Sequence, residues 1–458
     1  MQEAGVGSGQ STRTFSSEAL DDEPAKFDPD HGDRWIPCLR MLPPRQMHIP
    51  MPNPVTTSFQ DSVRWPPLTA APHRLLFLIG AANVLASMLW WWMHLNGWSV
   101  AAAPGVPSPW LHGFLMQYQV LPTFMFGFLL TVYPRWMAQR EATRWHYLPI
   151  GLALLSGQAL TLVCAWSGSS LFLSLGWFNT AAGWLAGMAV LGGWVLRAQS
   201  RDAHVRSTYL ALSIGMFGVL AFGFGLHAGR PDWQYLAIRI AAFGLLMPIY
   251  VTVAHRVFPF FAGNAVPGYH VYRPGWLLPA MWMGIAAHLA AELAGFSAWR
   301  WPADLALAAL FAHLLWRWWP RAKAPPLLIV LFVGFVWLPL SMTLYAIDSL
   351  STLIGAELSL GRAPLHALAV GFFGTLLVAM ATRVTAGHSG RPLQLGRIAG
   401  FAFVGMHLVA MARVVGELMP DPSAWWRASA LAWLLVFLPW VLRSAWVYLT
   451  PRLDGRPG

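Results

Sequence analysis

In a chain where 56% of residues are hydrophobic and 11% charged, the 15 histidines are the side chains best equipped for chemistry. A neutral imidazole ligates copper, iron or zinc, and the ring exchanges a proton near neutral pH. Five histidines stand in dense local patterns: His73 in A-P-H-R-L-L-F, His112 in W-L-H-G-F-L-M, His255 in A-H-R-V-F-P-F-F, His366 in P-L-H-A-L-A-V-G and His388 in T-R-V-T-A-G-H-S-G-R-P-L. His31, His48, His146, His204 and His270 read as tail or loop residues. His94, His227, His288, His313 and His407 read as structural, with helix-to-helix contacts open for His288, one turn before Glu292, and for His407 near Arg413. The two cysteines, Cys38 and Cys164, are far apart and offer neither a disulfide framework nor a thiolate metal site. Met116 shares a helical face with His112, but with 19 methionines such coincidences are expected.

These histidines need elements to hold them, and the hydropathy supplies them. Apolar windows recur at 75–95, 110–133, 147–166, 171–196, 208–227, 236–255, 276–296, 303–319, 325–345, 364–386, 397–418 and 424–448. A helix crosses the hydrocarbon with about 20 such residues. The fold class is therefore an all-α, polytopic transmembrane bundle of about twelve spans, which excludes a water-soluble domain. The runs are continuous rather than alternating, which excludes an outer-membrane barrel. Net charge +11 is of the sign that suits nucleic acid, but the basic residues are scattered singly between apolar runs, so no nucleic-acid partner is expected. Membrane lipid is the expected partner. Pro122, Pro248 and Pro339 interrupt spans.

Basic residues also orient the bundle, since cytoplasmic loops collect them. Arg135, Arg140, Arg144, Arg197, Arg201, Arg206, Arg256, Arg273, Arg317, Arg321, Lys323, Arg383, Arg391, Arg397, Arg443, Arg452 and Arg456 fall on one side. Arg230, Arg300, Arg362 and Arg427 fall on the other. Both termini are expected in the cytoplasm. Residues 1–72 are polar and then proline-punctuated, which reads as a disordered segment, or as a start annotated too early with Met41, Met47 or Met51 the initiator. The membrane domain is expected over 73–450 and a short tail over 451–458. No signal peptide is visible. With this topology His73, His255 and His388 lie at the cytoplasmic level, and His112 and His366 at the periplasmic one. At 1.5 Å per residue, His366 and His388 on one helix are about 33 Å apart and cannot share a metal.

Residue by residue, these stretches resemble the NnrS family. Trp110 to Met116, followed by Gly127-Phe128-Leu129-Leu130-Thr131 and Pro134-Arg135-Trp136, is similar to the family's W-H-A-H-E-M, G-F-L-L-T-A and P-x-W blocks. Arg256-Val257-Phe258-Pro259-Phe260-Phe261 with Asn264 resembles its R-V-I-P-F-F-T-x-N block. His366 to Gly371 and Arg383 to Leu393 resemble H-A-L-T-x-G and R-V-T-L-G-H-T-G-R-P-L. The resemblance implies a bacterial inner-membrane protein associated with haem b, copper and the response to nitric oxide, a small diatomic ligand. One departure stands out: Phe114 and Leu115 replace the family's second histidine and glutamate. A drier neighbourhood for His112 follows, with nitric oxide bound rather than reduced.

Ligand chemistry then offers an assignment. Three nitrogens with an open position suit a copper or zinc centre, for which His73, His255 and His388 are candidates. Two histidines across a gap, His112 and His366, suit the axial positions of a haem or a second metal. Arg74, Arg256 and Arg383 accompany the cytoplasmic histidines; Arg256 and Arg383 could fork onto haem propionates, which would reverse the assignment, or simply obey the positive-inside rule. The competing function is a multi-span transporter of a small solute or metal complex, against which stands the scarcity of carboxylates at mid-membrane; a scaffold or sensor without turnover also stays open. Whether the protein is an enzyme is open; if it is, the expected class is a metal-dependent redox protein acting on nitric oxide or a related nitrogen species. Trp90, Trp91, Trp92, Trp425 and Trp426 at span ends read as interface belts, and Gly371, Gly374, Gly400 and Gly405 as points of close helix contact.

Overall fold

The computed structural model describes residues 67–98, 105–199, 201–356 and 358–455. Most of the expected polar segment 1–72 and the last residues of the tail lie outside the described residues. Among the described residues the regular elements are all helical. In chain order the long helices are α1 Pro72–Leu95, α2 Ser108–Trp136, α3 Arg144–Ser167, α4 Ser170–Arg197, α5 Ala203–His227, α6 Pro231–Ala265, α7 Leu277–Leu293, α8 Trp301–Trp318, α9 Pro326–Leu353, α10 Ala363–His388, α11 Arg397–Gly416 and α12 Pro422–Leu449.

Nine of these, all but α4, α7 and α8, are long and apolar enough to cross a membrane. The protein is thus a multi-pass membrane protein, with nine candidate spans where about twelve were expected. The shortfall has a physical source. Helix α7 has 17 residues, α8 carries Asp304 and Arg317, and Asn179, Thr180 and several glycines dilute the apolar character of α4.

Local chemistry explains where the helices begin and end. Proline occupies the first turn of α1, α2, α6, α8, α9, α10 and α12, where its missing N–H is no loss. Asp202 caps α5 by accepting from the backbone of His204 and Val205. Arg74 ties the start of α1 to the end of α12, donating to the carbonyls of Pro67, Tyr448 and Thr450. The last two belong to a helix end with no partner of its own.

Small residues let the helices approach. On α3 and α4, Gly157 and Thr161 face Gly176 and Thr180 reciprocally; a Cβ on either glycine would meet the opposite threonine Oγ1 at 2.5 Å. Gln119 of α2 donates to both threonine hydroxyls, at 2.9 and 2.8 Å, and so joins the three helices in a polar node. The close-contact reading holds for Gly371, Gly374 and Gly405, whose added Cβ would meet Trp337, Met406 and Val436 below 3 Å. Gly400 has no such neighbour, its nearest side chain being Leu395 at 3.9 Å.

Candidate functional site

Three helices that carry the dense patterns depart from α geometry at one place each. Leu115–Val120 in α2, Ala241–Leu246 in α6 and Ala367–Gly374 in α10 are π-helical. Such wide turns are rare and concentrate at functional sites. Pro122 and Pro248 stand just after two of them and lack the N–H that would bond the carbonyls of Tyr118 and Gly244. A wider turn accommodates that loss. All three π segments border one cavity of about 480 Å³, through residues such as Met116, Gln117, Phe243, Leu246, Val370 and Phe373. This volume falls within the roughly 300–1,000 Å³ of small-molecule and cofactor sites.

His112 and His366 both line this cavity. The His112 ring stacks on Trp91, centroids 4.5 Å apart, and its buried Nδ1 has no hydrogen-bond partner. His366 Nδ1 meets the Arg362 carbonyl at 2.9 Å. That bond occupies one ring nitrogen and leaves Nε2 with its lone pair, the arrangement usual for a metal-ligating histidine. Trp91 and Trp426, expected in an interface belt, form part of the cavity wall.

The wall is also ionic. Arg239, Arg300, Arg362 and Arg413 reach it, with Glu292 and Asp348. Arg413 pairs with Glu417, which also accepts from Trp426 Nε1 at 3.0 Å and from the Arg362 backbone at 3.2 Å. Burial would raise the Glu417 carboxyl, but these hydrogen bonds and the Arg413 charge outweigh it and hold it below its ordinary range. Gly361 sits at φ +53° with Glu417 Oε1 3.0 Å from where a Cβ would be, so a side chain in this turn would be strained and crowd Glu417. The Arg362 guanidinium lies over the Trp426 ring and, among the described residues, forms no ion pair with a carboxylate.

Behind Glu292 and Arg300 lies a network that the histidine patterns did not announce. Asp304 of α8 accepts from His288 Nδ1 of α7 and from Arg300 Nε at 3.0 Å. Arg300 NH2 is 3.7 Å from Asp348, and His288 Nε2 is 3.7 Å from Glu292. The His288 ring stacks on Phe243 of the second π segment. The expected His288–Glu292 contact is present, but as one edge of a larger cluster. These carboxylates stand near helix ends, Glu292 at the end of α7, Asp304 in the first turn of α8 and Asp348 near the end of α9.

In the comparison with known families, the description NnrS protein matches residues 67–452. The chain belongs to the NnrS family. No curated protein matches it.

At the opposite end, the NnrS-type histidines form pairs. His73 and His388 approach with ring centroids 4.6 Å apart, and Thr131 Oγ1 is 3.5 Å from His73 Nδ1. His255 Nδ1 is 2.9 Å from His204 Nε2, and Asp202 flanks His204 at 3.5 Å. His255 Nε2 is buried without a partner. The expected trio of His73, His255 and His388 is therefore a pair plus a residue tied elsewhere. Among the described residues no group of three or more His, Cys, Asp or Glu has metal-holding geometry. His366 and His388 do stand at opposite ends of α10, as the 33 Å argument requires.

The two arginines proposed for propionates have other partners. Arg256 pairs with Asp202 and lies over Trp136, 4.2 Å from the ring centroid. Arg383 lies 3.9 Å above Phe261. Neither lines the cavity of His112 and His366. Phe114 and Leu115 do not line it either: both are fully buried, and Phe114 stacks on Phe222 with centroids 4.1 Å apart. The wall beside His112 comes from Gly113, Met116 and Gln117. Among residues that sequence reasoning set aside, His204 had a legible signal, the D-x-H start of α5, which brings a capping carboxylate beside a ring. His407 accepts from Trp337 Nε1 at 2.8 Å rather than meeting Arg413.

Proposed function

We propose that this protein is a haem-binding membrane protein of the bacterial inner membrane that acts in the response to nitric oxide. The observation that carries the reading is that His112 and His366, from two helices, line one cavity together with four arginines and stacked aromatic side chains. The residues fit a tetrapyrrole in kind. The partnerless Nδ1 of His112 and the Nε2 left free on His366 are nitrogen donors; Trp91, Trp110 and Trp433 offer apolar faces; Arg362 offers a guanidinium for a carboxylate. Haem iron, when bound, would supply a redox-active centre for small diatomics. The chain's own part is to orient His112 through the Trp91 stack, fix the His366 tautomer through the Arg362 carbonyl, and place charged groups at the cavity wall.

Copper, the second cofactor that family membership suggests, does not fit equally well. The candidate residues His73, His255 and His388 supply one histidine pair and one ring bonded to His204, so copper has no part in this reading. We further propose that α4, α7 and α8 cross the membrane with the other nine, which gives twelve spans and, by the bias in basic residues, cytoplasmic termini.

The test is the reduced optical spectrum and haem content of protein purified from haem-supplied cells. A b-type spectrum that is lost in both His112→Ala and His366→Ala supports the reading. Folded protein without haem, or haem retained in both variants, would overturn it in favour of transport of a small solute.

A further inference from the structure

His288 stands between two carboxylates. Its Nδ1 donates to Asp304, and its Nε2 lies 3.7 Å from Glu292 Oε2. A neutral imidazole carries one N–H, so a ring that meets a carboxylate at each nitrogen is satisfied on both sides only when it holds a second proton. The charges around it match that proton. On α6, Arg239 Nε is 3.8 Å from Glu292 Oε1, and Phe243 stacks on the ring. At the start of α8, Arg300 donates to Asp304, and from α9 Asp348 stands 3.7 Å from Arg300 while Tyr345 packs edge-on against the ring. Among the described residues two guanidiniums thus meet three carboxylates here, and one proton brings the cluster to neutrality. An unbalanced charge inside a bundle is costly.

The two carboxylates that flank the ring are not equivalent. Asp304 has no exposed surface and both of its oxygens are engaged, one by His288 and one by Arg300. The Glu292 side chain is 16% exposed and lines the 480 Å³ cavity of His112 and His366. Arg239 makes its close bonds to the Glu292 main-chain carbonyl, at 2.8 Å, and to the Tyr235 hydroxyl, at 2.6 Å, and leaves the carboxylate beyond hydrogen-bond length. His288 Nε2, wholly buried, has no hydrogen-bond partner either. A movement of about 1 Å would close the gap between Nε2 and Oε2 to hydrogen-bond length. Asp304 is fixed, whereas Glu292 is free to turn between the ring and the cavity.

We propose that Glu292 is the proton-exchanging group of the large cavity and His288 its proton store, with Asp304 the positioning residue that holds the ring. The step moves one proton and no electron. The Nε2–H bond breaks and an Oε2–H bond forms, which leaves a neutral imidazole beside a carboxylic acid. The acid then gives its proton to a water or an anionic ligand in the cavity, and uptake runs the same steps in reverse. The inference does not rest on haem, because it concerns exchange between the chain and the cavity.

The experiment uses full-length protein in nanodiscs, prepared without haem, and pH-difference infrared spectroscopy, which reads the carbonyl stretch of a protonated carboxyl. Wild type should show a titrating carboxyl band that is absent in Glu292→Gln. In heavy water that band should shift within the mixing time, because the group opens onto the cavity. In His288→Gln the band should remain, with its proton affinity changed at least tenfold. Asp304→Asn, which keeps the ring but removes its charged partner, should also change it, and keeps the test alive if His288→Gln fails to fold. An affinity unchanged in both variants, a band unaffected by Glu292→Gln, or isotope exchange that takes hours would overturn the proposal. Haem content measured on separate samples keeps this outcome distinct from the cofactor reading.

Discussion

Asp304 accepts a hydrogen bond from His288 Nδ1 where neither side chain is exposed to solvent at all. Arg300 Nε donates to the other carboxylate oxygen, and Phe243 and Tyr345 enclose the ring. Breaking a buried ionic group by removing one partner leaves the others uncompensated, at a cost of about 3–5 kcal/mol. Asp304→Ala should therefore lower the unfolding midpoint of the purified protein strongly, and Asp304→Asn, which retains the shape and one acceptor, should lower it less. Equal midpoints for wild type and Asp304→Ala in the same detergent would show that the network contributes no stability.

His112 and His366 should act as one site and the opposite histidines as another. Haem content should fall in both His112→Ala and His366→Ala, and stay near wild type in His73→Ala and His388→Ala, as measured by the pyridine haemochrome per folded protein. Trp91→Leu, which removes the stack on His112, should lower haem retention during dilution without abolishing it. A uniform loss across all four histidine variants would contradict two separate levels.

The helices were legible because a membrane span must satisfy its own backbone and display apolar side chains over most of its length, so α1 to α12 appear as windows. The shared level of His112 and His366 followed from the alternation of the spans, since both histidines open a span from the same side, and helix rise separated His366 from His388. The Asp304–His288 pair did not, because the two residues are 16 apart on different helices, and only the packing of α7 on α8 brings them together. His204 was set aside because a helix start and a loop look alike in hydropathy. The π segments carry no hydropathy signal, although Pro122 and Pro248 mark the sites of two of them. The cavity role of Trp91 and Trp426 was not legible because aromatic side chains at a span end serve an interface or a cavity equally well in composition.

Asp202 predicts a pH dependence. Burial raises its carboxyl, but hydrogen bonds from His204 and Arg256 and from the Val205 backbone lower it more, so the folded value lies below the ordinary carboxylate range. A lowered carboxyl contributes stability that is fully present above the unfolded value of about 3.9 and lost as pH falls through the folded one. Asp202→Asn should melt earlier at pH 7 and show a shallower loss below about pH 4. Thermal unfolding between pH 7 and pH 3 reads both, and parallel curves for the two proteins would remove the role assigned to this carboxylate.

Restoring the family's histidine and glutamate should damage this protein rather than activate it. If the drier neighbourhood that Phe114 and Leu115 imply for His112 were what keeps nitric oxide from being reduced, the pair Phe114→His and Leu115→Glu would supply protons there and raise turnover. In the fold both side chains are fully buried and off the cavity wall, with Phe114 packed face to face on Phe222. A glutamate at 115 would enter apolar packing without a partner, at a cost on the order of 3 kcal/mol or more. The double variant should therefore give less folded protein and a lower melting midpoint, while Leu115→Met, which changes shape but not polarity, should stay near wild type. Size-exclusion yield and thermal unfolding check this directly. A double variant that folds like wild type and consumes nitric oxide faster would mean that positions 114 and 115 reach the cavity in the working state.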